Sequence, residues 1–255
     1  MRRLCPANER SNQLPPPTST PMTSLPTPVV KVCCIASPGE ADLAVAAGAG
    51  VLGLVTHMPS GPGVISDEAA ADIAAHVRRM HPAVQTFLLT SLTTSEAIAE
   101  QHARCGTTAL QLVDHVPHGD LRRLRGRCPG VRLVQVIHVR DALSVAEARE
   151  AAPFVDALLL DSGNPALAVK ELGGTGRTHD WATSRRIRDA VWPLPLFLAG
   201  GLHAGNVAQA IATVQPHGLD LCSSVRSQGM LDSAKLDTFF GAVRAAAHPL
   251  RGNPS

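Results

Sequence analysis

Two apolar runs in this chain end in side chains that can move protons. Residues 157–162, ALLLDS, lead four aliphatic residues into Asp161, and residues 31–35, KVCCI, close on two adjacent thiols, Cys33 and Cys34. An ionisable carboxylate at the end of a buried run is costly unless it is paired or used, which makes Asp161 the sharpest candidate for chemistry. The alternative is a cap for the SGNP turn that follows it. Period two places Cys33 and Cys34 on opposite faces of a strand, so only one of them should look toward a substrate. Either could instead be a small buried apolar group, and a disulfide between neighbours would be strained.

Downstream lie the segments suited to an anion. Residues 170–181, KELGGTGRTHDW, form a glycine-rich loop with Gly174 and Arg177 at its centre, without the GxxxxGK[ST] spacing of a nucleotide-binding loop. The segments AGGL and DLCSS place Gly200, Gly201, Ser223 and Ser224 after two further apolar runs. Small residues there leave backbone N–H groups free to point at a phosphate; tight turns would account for each glycine singly but not for the joint placement. An acid, a thiol and a phosphate anchor together suit proton-transfer isomerisation of a sugar phosphate without a cofactor. His57, His115, His138, His179 and His203 form no HxH or HxxxH pair at a strand end, so no metal is expected and most of these rings read as surface or loop residues.

The elements that must position these groups repeat. Candidate strands are 29–35, 51–56, 84–89, 109–113, 131–139, 157–161, 196–199 and 218–222. Amphipathic stretches alternate with them at 66–80, 95–105, 144–152, 180–191, 205–214 and 232–247. Ser37 can cap a first helix with Pro38 at its first position. Continuous Val and Leu runs imply strands buried on both faces, and eight βα units predict a single-domain (β/α)8 TIM barrel over 29–247. A doubly wound open sheet is the runner-up; the turn after the first strand, CCIASPGE, lacks GxGxxG. In a barrel the strand C-termini and the loops just after them carry the chemistry, which gives a short list of candidates.

Composition narrows the classes further. The 255 residues are 45% hydrophobic with a formal charge of +2, so neither a nucleic-acid nor a membrane partner is expected and a small-molecule substrate is. The longest apolar stretch, residues 43–55, is interrupted by Gly48, Gly50 and Gly53 and falls short of the roughly 20 residues a spanning helix needs. Six cysteines without paired CxxC spacing imply reduced thiols in a cytoplasmic protein. Residues 1–28, with six prolines between 11 and 28, read as a disordered tail, with a transit peptide as the alternative, and 248–255 as a short C-terminal tail.

From about Val29 to Phe240 the chain resembles the phosphoribosylanthranilate isomerase family. KVCCIA is similar to that family's KxCGIT, LLLDS to LLLD[ST], GGTGRTHDW to GG[ST]GxxFDW, LAGGLHAGNVAQAI to LxGGLxPxNVxxAI, and DLCSSVR to D[VL]SSGVE. The resemblance implies a cofactor-free Amadori rearrangement of N-(5-phosphoribosyl)anthranilate in tryptophan biosynthesis. By position, Cys33 would be the general base at the sugar C2 and Asp161 the general acid that opens the furanose ring. Phosphate would rest at Gly200, Gly201, Ser223 and Ser224, and Gln111 would match the glutamine of the family's VQLHG.

The chain departs from the family in definite places. The loop after the second strand, MPSGPGVIS, lacks the arginine that the family uses there for the anthranilate carboxylate, so either another cation such as Arg177 serves or the substrate lacks that group. Cys34 replaces a glycine, Ala36 a threonine, Ser224 a glycine and Arg226 a glutamate, while Val113-Asp114 replaces His-Gly. Two other readings therefore stand beside the isomerase: the same acid–base pair acting on another aldose or aminoaldose phosphate, and a non-catalytic sugar-phosphate-binding barrel. Monomer and homodimer are equally compatible with the sequence.

Overall fold

Hydrogen bonding along eight parallel strands closes a barrel: β1 (Val29–Val32), β2 (Val51–Val55), β3 (Gln85–Thr90), β4 (Ala109–Leu112), β5 (Arg132–His138), β6 (Ala157–Asp161), β7 (Leu196–Leu198) and β8 (Gly218–Leu221), with β8 returning to pair β1. The computed structural model describes residues 27–59, 61–163 and 178–247. Both tails, apart from Thr27 and Pro28, and the loop bearing Gly174 and Arg177 therefore lie outside the described residues.

Strand pleating sorts the aliphatic residues into two layers. Val51, Val55, Phe87, Leu89, Val134, Val136, Leu159 and Phe197 fill the barrel interior. Val30, Val32, Leu52, Leu54, Leu88, Leu110, Leu158, Leu160 and Leu198 point outward against the helices. With 3% aromatics, branched aliphatics carry both layers, as strands covered on both faces require.

The helices start where their caps predict. Ser37 accepts a hydrogen bond from the Glu40 N–H and α1 (Pro38–Ala47) begins at Pro38; Ser66 caps α2 (Asp67–Met80) from the Ala69 N–H. α3 (Ser95–Cys105), α5 (Ser144–Ala151), α6 (Trp181–Val191), α7 (Val207–Val214) and α8 (Ser233–Ala247) follow the amphipathic stretches closely. The sequence pattern does not single out α4 (His118–Arg127): HGDLRRLRGR buries only Leu121 and Leu124, too few apolar positions to stand out by period. A two-stranded hairpin, β9 (Arg226–Ser227) with β10 (Met230–Leu231), follows β8. No helix among the described residues is long and apolar enough to cross a membrane.

Candidate active site at the C-terminal rim of the barrel

Register places the acid and the thiols on one rim. Leu160 pairs Leu198, Leu198 pairs Leu219, and Leu219 pairs Val30. One residue farther along, Asp161, Ala199, Asp220 and Lys31 therefore follow one another across β6, β7, β8 and β1, with their side chains toward the interior. Cys33 lies two residues beyond Lys31 and shares its face. Asp161 is buried, and one of its oxygens accepts the Ser162 N–H at 2.7 Å.

Beneath this rim is an ion pair within the barrel. Lys31 is fully buried, and its Nζ donates to Asp220 Oδ2 at 2.8 Å. Burial works against the Lys31 charge, but Asp220 and then the Cys33 sulfur outweigh it and hold the ammonium above the ordinary lysine range. A Cβ placed on Gly53 would meet Cys33 Sγ at 2.9 Å and Lys31 Nζ at 3.0 Å, so glycine is needed on β2 to leave room for both.

The expectation that only one of the adjacent cysteines faces inward is corrected here. β1 ends at Val32, and Cys34 takes a left-handed conformation (φ 63°), so the alternation of the strand stops before it. Cys33 and Cys34 consequently both pack in the interior group. Cys34 Sγ lies 2.8 Å from Cys222 Sγ and 3.6 Å from the Pro62 carbonyl; all of these thiols are free. The contact with Cys222, the nearby Cys33 and burial together push the Cys34 thiol far above the ordinary range, whereas the same contact with Cys34 lowers Cys222.

Arg226, at sequence level only a departure from the family pattern, pins this end of β1. Its guanidinium pairs with Glu40 at 2.9 Å and donates to the carbonyls of Cys33 and Cys34. Nothing in the spacing could reveal the contact, because Glu40 and Arg226 are 186 residues apart.

The histidine reading also changes. His138 is buried in the interior on β5, opposite Asp161 in register, with Nε2 against the Val113 carbonyl at 2.9 Å. His179 bonds Ser184 Oγ through Nε2 at 2.7 Å, and burial lowers its pKa against the pull of Asp161 and then Asp180. Both rings leave Nδ1 without a partner among the described residues, as does Gln111 its Oε1. Gln111 is buried on β4, facing inward between Ala109 and Val113. Pleating could have found His138, since Val134 and Val136 share its face.

Between Asp161 on β6 and Cys33 after β1 on the rim, Gly200 (φ 85°) and Gly201 (φ 61°) make a left-handed turn after β7, a backbone that glycine alone adopts freely. Ser223 and Ser224 open a 3-10 turn after β8, and the buried Ser224 hydroxyl has no partner among the described residues. Gly174 and Arg177 lie outside the described residues. The described arrangement thus sets a carboxyl group and a thiol on one rim, with two small-residue turns beside them.

The sequence profile described as "N-(5'phosphoribosyl)anthranilate (PRA) isomerase" matches residues 30–242. An N-(5'-phosphoribosyl)anthranilate isomerase of Haloferax volcanii is 38% identical over 226 residues, covering 85% of this chain and 93% of its own. One from Methanocella arvoryzae is 33% identical over 199 residues, covering 78% and 89%. Among solved structures, phosphoribosyl anthranilate isomerase from Thermotoga maritima superposes with a TM-score of 0.72 at 26% identity, covering 86% of this chain and 99% of that one. A phosphoribosyl anthranilate isomerase bound to reduced 1-(o-carboxyphenylamino)-1-deoxyribulose 5-phosphate gives 0.70 at 25% identity, with the same coverage.

Proposed function

The chain belongs to the N-(5′-phosphoribosyl)anthranilate isomerase family, and from that premise we propose that it converts N-(5-phosphoribosyl)anthranilate to the carboxyphenylamino-deoxyribulose phosphate, a step of tryptophan biosynthesis. The observation that carries the reading is the placement of Cys33 and Asp161 on one interior rim. Asp161 gives a proton to the furanose ring oxygen as its bond to C1 breaks, leaving an iminium between C1 and nitrogen. Cys33, as thiolate, takes the C2 proton; the electron pair forms the C1–C2 double bond and neutralises the nitrogen. The enolamine then tautomerises to the ketose. Each proton transfer by a positioned group contributes about 10²–10⁴-fold.

The phosphate is held by backbone N–H groups at Gly200, Gly201, Ser223 and Ser224, where small residues let an anion approach the backbone. Gln111 offers its amide to the sugar, and Gly174 and Arg177, in the segment that follows β6 in the sequence, are the further substrate-binding residues of this reading. The substrate is a small sugar phosphate and the compartment cytoplasmic. A dimeric phosphoribosylanthranilate isomerase and monomers generated from it are described for Thermotoga maritima, so either state fits this chain.

The decisive measurement is the loss of anthranilate-type fluorescence during turnover of phosphoribosylanthranilate. Cys33→Ala and Asp161→Asn should each lower kcat by at least about 10²-fold with an unchanged fold by circular dichroism; normal rates in both variants would remove the mechanism. One observation favours a second reading: in the described loop after β2, Gly63 sits against Cys34 where the family carries a cation nearby. On that reading the same pair isomerises an aldose or aminoaldose phosphate that lacks the aryl carboxylate, and the parent protein turns over that substrate but not phosphoribosylanthranilate. Binding of sugar phosphates by calorimetry with no product from any of them would leave a non-catalytic barrel.

A further inference from the structure

Away from the catalytic rim, three side chains from two helices converge on one point. Asp42 projects from α1, His76 from the last turns of α2, and His81 is the residue that ends α2. Nε2 of His76 and Nε2 of His81 lie 2.7 Å and 2.8 Å from the same oxygen, Asp42 Oδ1. His81 leaves the helical conformation (φ −137°, ψ 62°), and this turns its ring edge-on to that of His76, with centroids 6.3 Å apart.

We infer that Asp42, His76 and His81 form a binding site for a divalent transition-metal ion, with zinc the best fit. Two imidazoles and a carboxylate are the donor set of a three-ligand zinc site, with water in the fourth position; the absence of a thiolate argues against soft ions such as Cu(I). The three ligand atoms all lie within 4.8 Å of one another. Bonds of about 2.0–2.1 Å in a tetrahedron need ligand atoms roughly 3.3 Å apart, so each of the two contacts between Asp42 Oδ1 and a ring nitrogen lengthens by about half an ångström to admit the ion. The side chains can give that much, since Asp42 is 50% exposed and the imidazoles 18% and 26%. As plain surface hydrogen bonds the same contacts would be worth only about 0–1 kcal/mol and would have to order three side chains; a metal uses the same atoms and holds α1 to the end of α2.

One contact must change on binding. Arg79 Nη2 lies 3.5 Å from His76 Nδ1, the ring nitrogen that carries a proton when Nε2 holds the metal. A guanidinium cannot accept that proton, so exposed Arg79 swings away. α2 runs against the strands, so its end lies at the rim where the strands begin, opposite Cys33 and Asp161. The ion therefore acts on stability and not on catalysis.

The test titrates the full chain, freed of metal with chelator, with Zn²⁺ alone by calorimetry and thermal unfolding, and with Co²⁺ by absorbance. The inference expects one Zn²⁺ per chain in the micromolar range and a rise in Tm of roughly 5–10 °C at hundredfold excess over Kd. Co²⁺ should show ligand-field bands without thiolate charge transfer, since Cys33, Cys34 and Cys222 take no part. His76→Gln/His81→Gln should weaken binding at least a hundredfold at unchanged kcat, and Arg79→Glu, which supplies an acceptor for the His76 ring proton, should tighten it severalfold. No binding at millimolar Zn²⁺, a thiolate band with Co²⁺, or equal affinity in the double variant would overturn the site.

Discussion

A Cβ built on Gly63 would stand 2.5 Å from Cys34 Cβ. The loop after β2 thus closes directly over the thiol that follows the proposed base, in a left-handed conformation at Gly63 (φ 74°). Within the family pattern, position 34 is glycine and the loop carries a cation; here the loop is bare and position 34 carries a side chain. The Cys34 side chain occupies volume that any residue larger than glycine at 63 would claim.

Gly63→Ala should therefore cost about 1–3 kcal/mol in urea unfolding, from overpacking and from the left-handed backbone. Cys34→Gly should recover much of that loss, and a double-mutant cycle should show coupling of about 0.5–3 kcal/mol. Strict additivity would mean that the loop and the thiol do not share space.

The three neighbouring thiols separate by function. Cys33→Ala should abolish isomerisation, whereas Cys34→Gly and Cys222→Ser should keep kcat within a few-fold, because neither sulfur takes the C2 proton in the mechanism above. A loss in Cys34→Gly equal to that in Cys33→Ala, with both proteins folded, would move the base to Cys34.

The buried pair of Lys31 and Asp220 should show the asymmetry of ions in a dry interior. Lys31→Met alone or Asp220→Asn alone should cost about 3–5 kcal/mol, since each leaves its partner without compensation. The double change Lys31→Met/Asp220→Leu should cost much less. Denaturant midpoints of the four proteins at constant m decide the matter.

Two groups give stability a pH signature at opposite ends. Cys105 is pushed up to about 12, by burial first and by Asp67 next, so the folded state keeps its proton where the unfolded thiol has lost it. This contribution is complete below the unfolded thiol pKa of roughly 8.5 and is lost as pH rises toward 12. Asp120 is lowered to about 2 by the Ser95 N–H first and then by Arg123. Its contribution is present above roughly pH 4 and is lost as pH falls toward 2. Cys105→Ala should flatten the alkaline limb of the stability profile and Asp120→Asn the acid limb.

Much of this molecule is written locally. The aliphatic runs, the caps at Ser37, Ser66 and Asp180, and the strand-end positions of Cys33, Asp161, Gly200 and Ser223 follow from pattern and period, because strand pleating and helix capping depend on a few neighbouring residues. α4 escaped that reading because two leucines in ten residues make too faint a stripe.

Tertiary structure alone decided the rest. Closing the barrel brings β8 against β1, and with it Asp220 to Lys31, Cys222 to Cys34 and Arg226 to Glu40, pairs separated by 186 to 189 residues. Packing of α1 on α2 sets Asp42 between two histidines 34 and 39 residues away. The sequence by itself determined the βα repeat and most of its elements, though not α4 or the early end of β1 at Val32; which side chains meet depended on strand register and helix docking, and no local spacing encodes those.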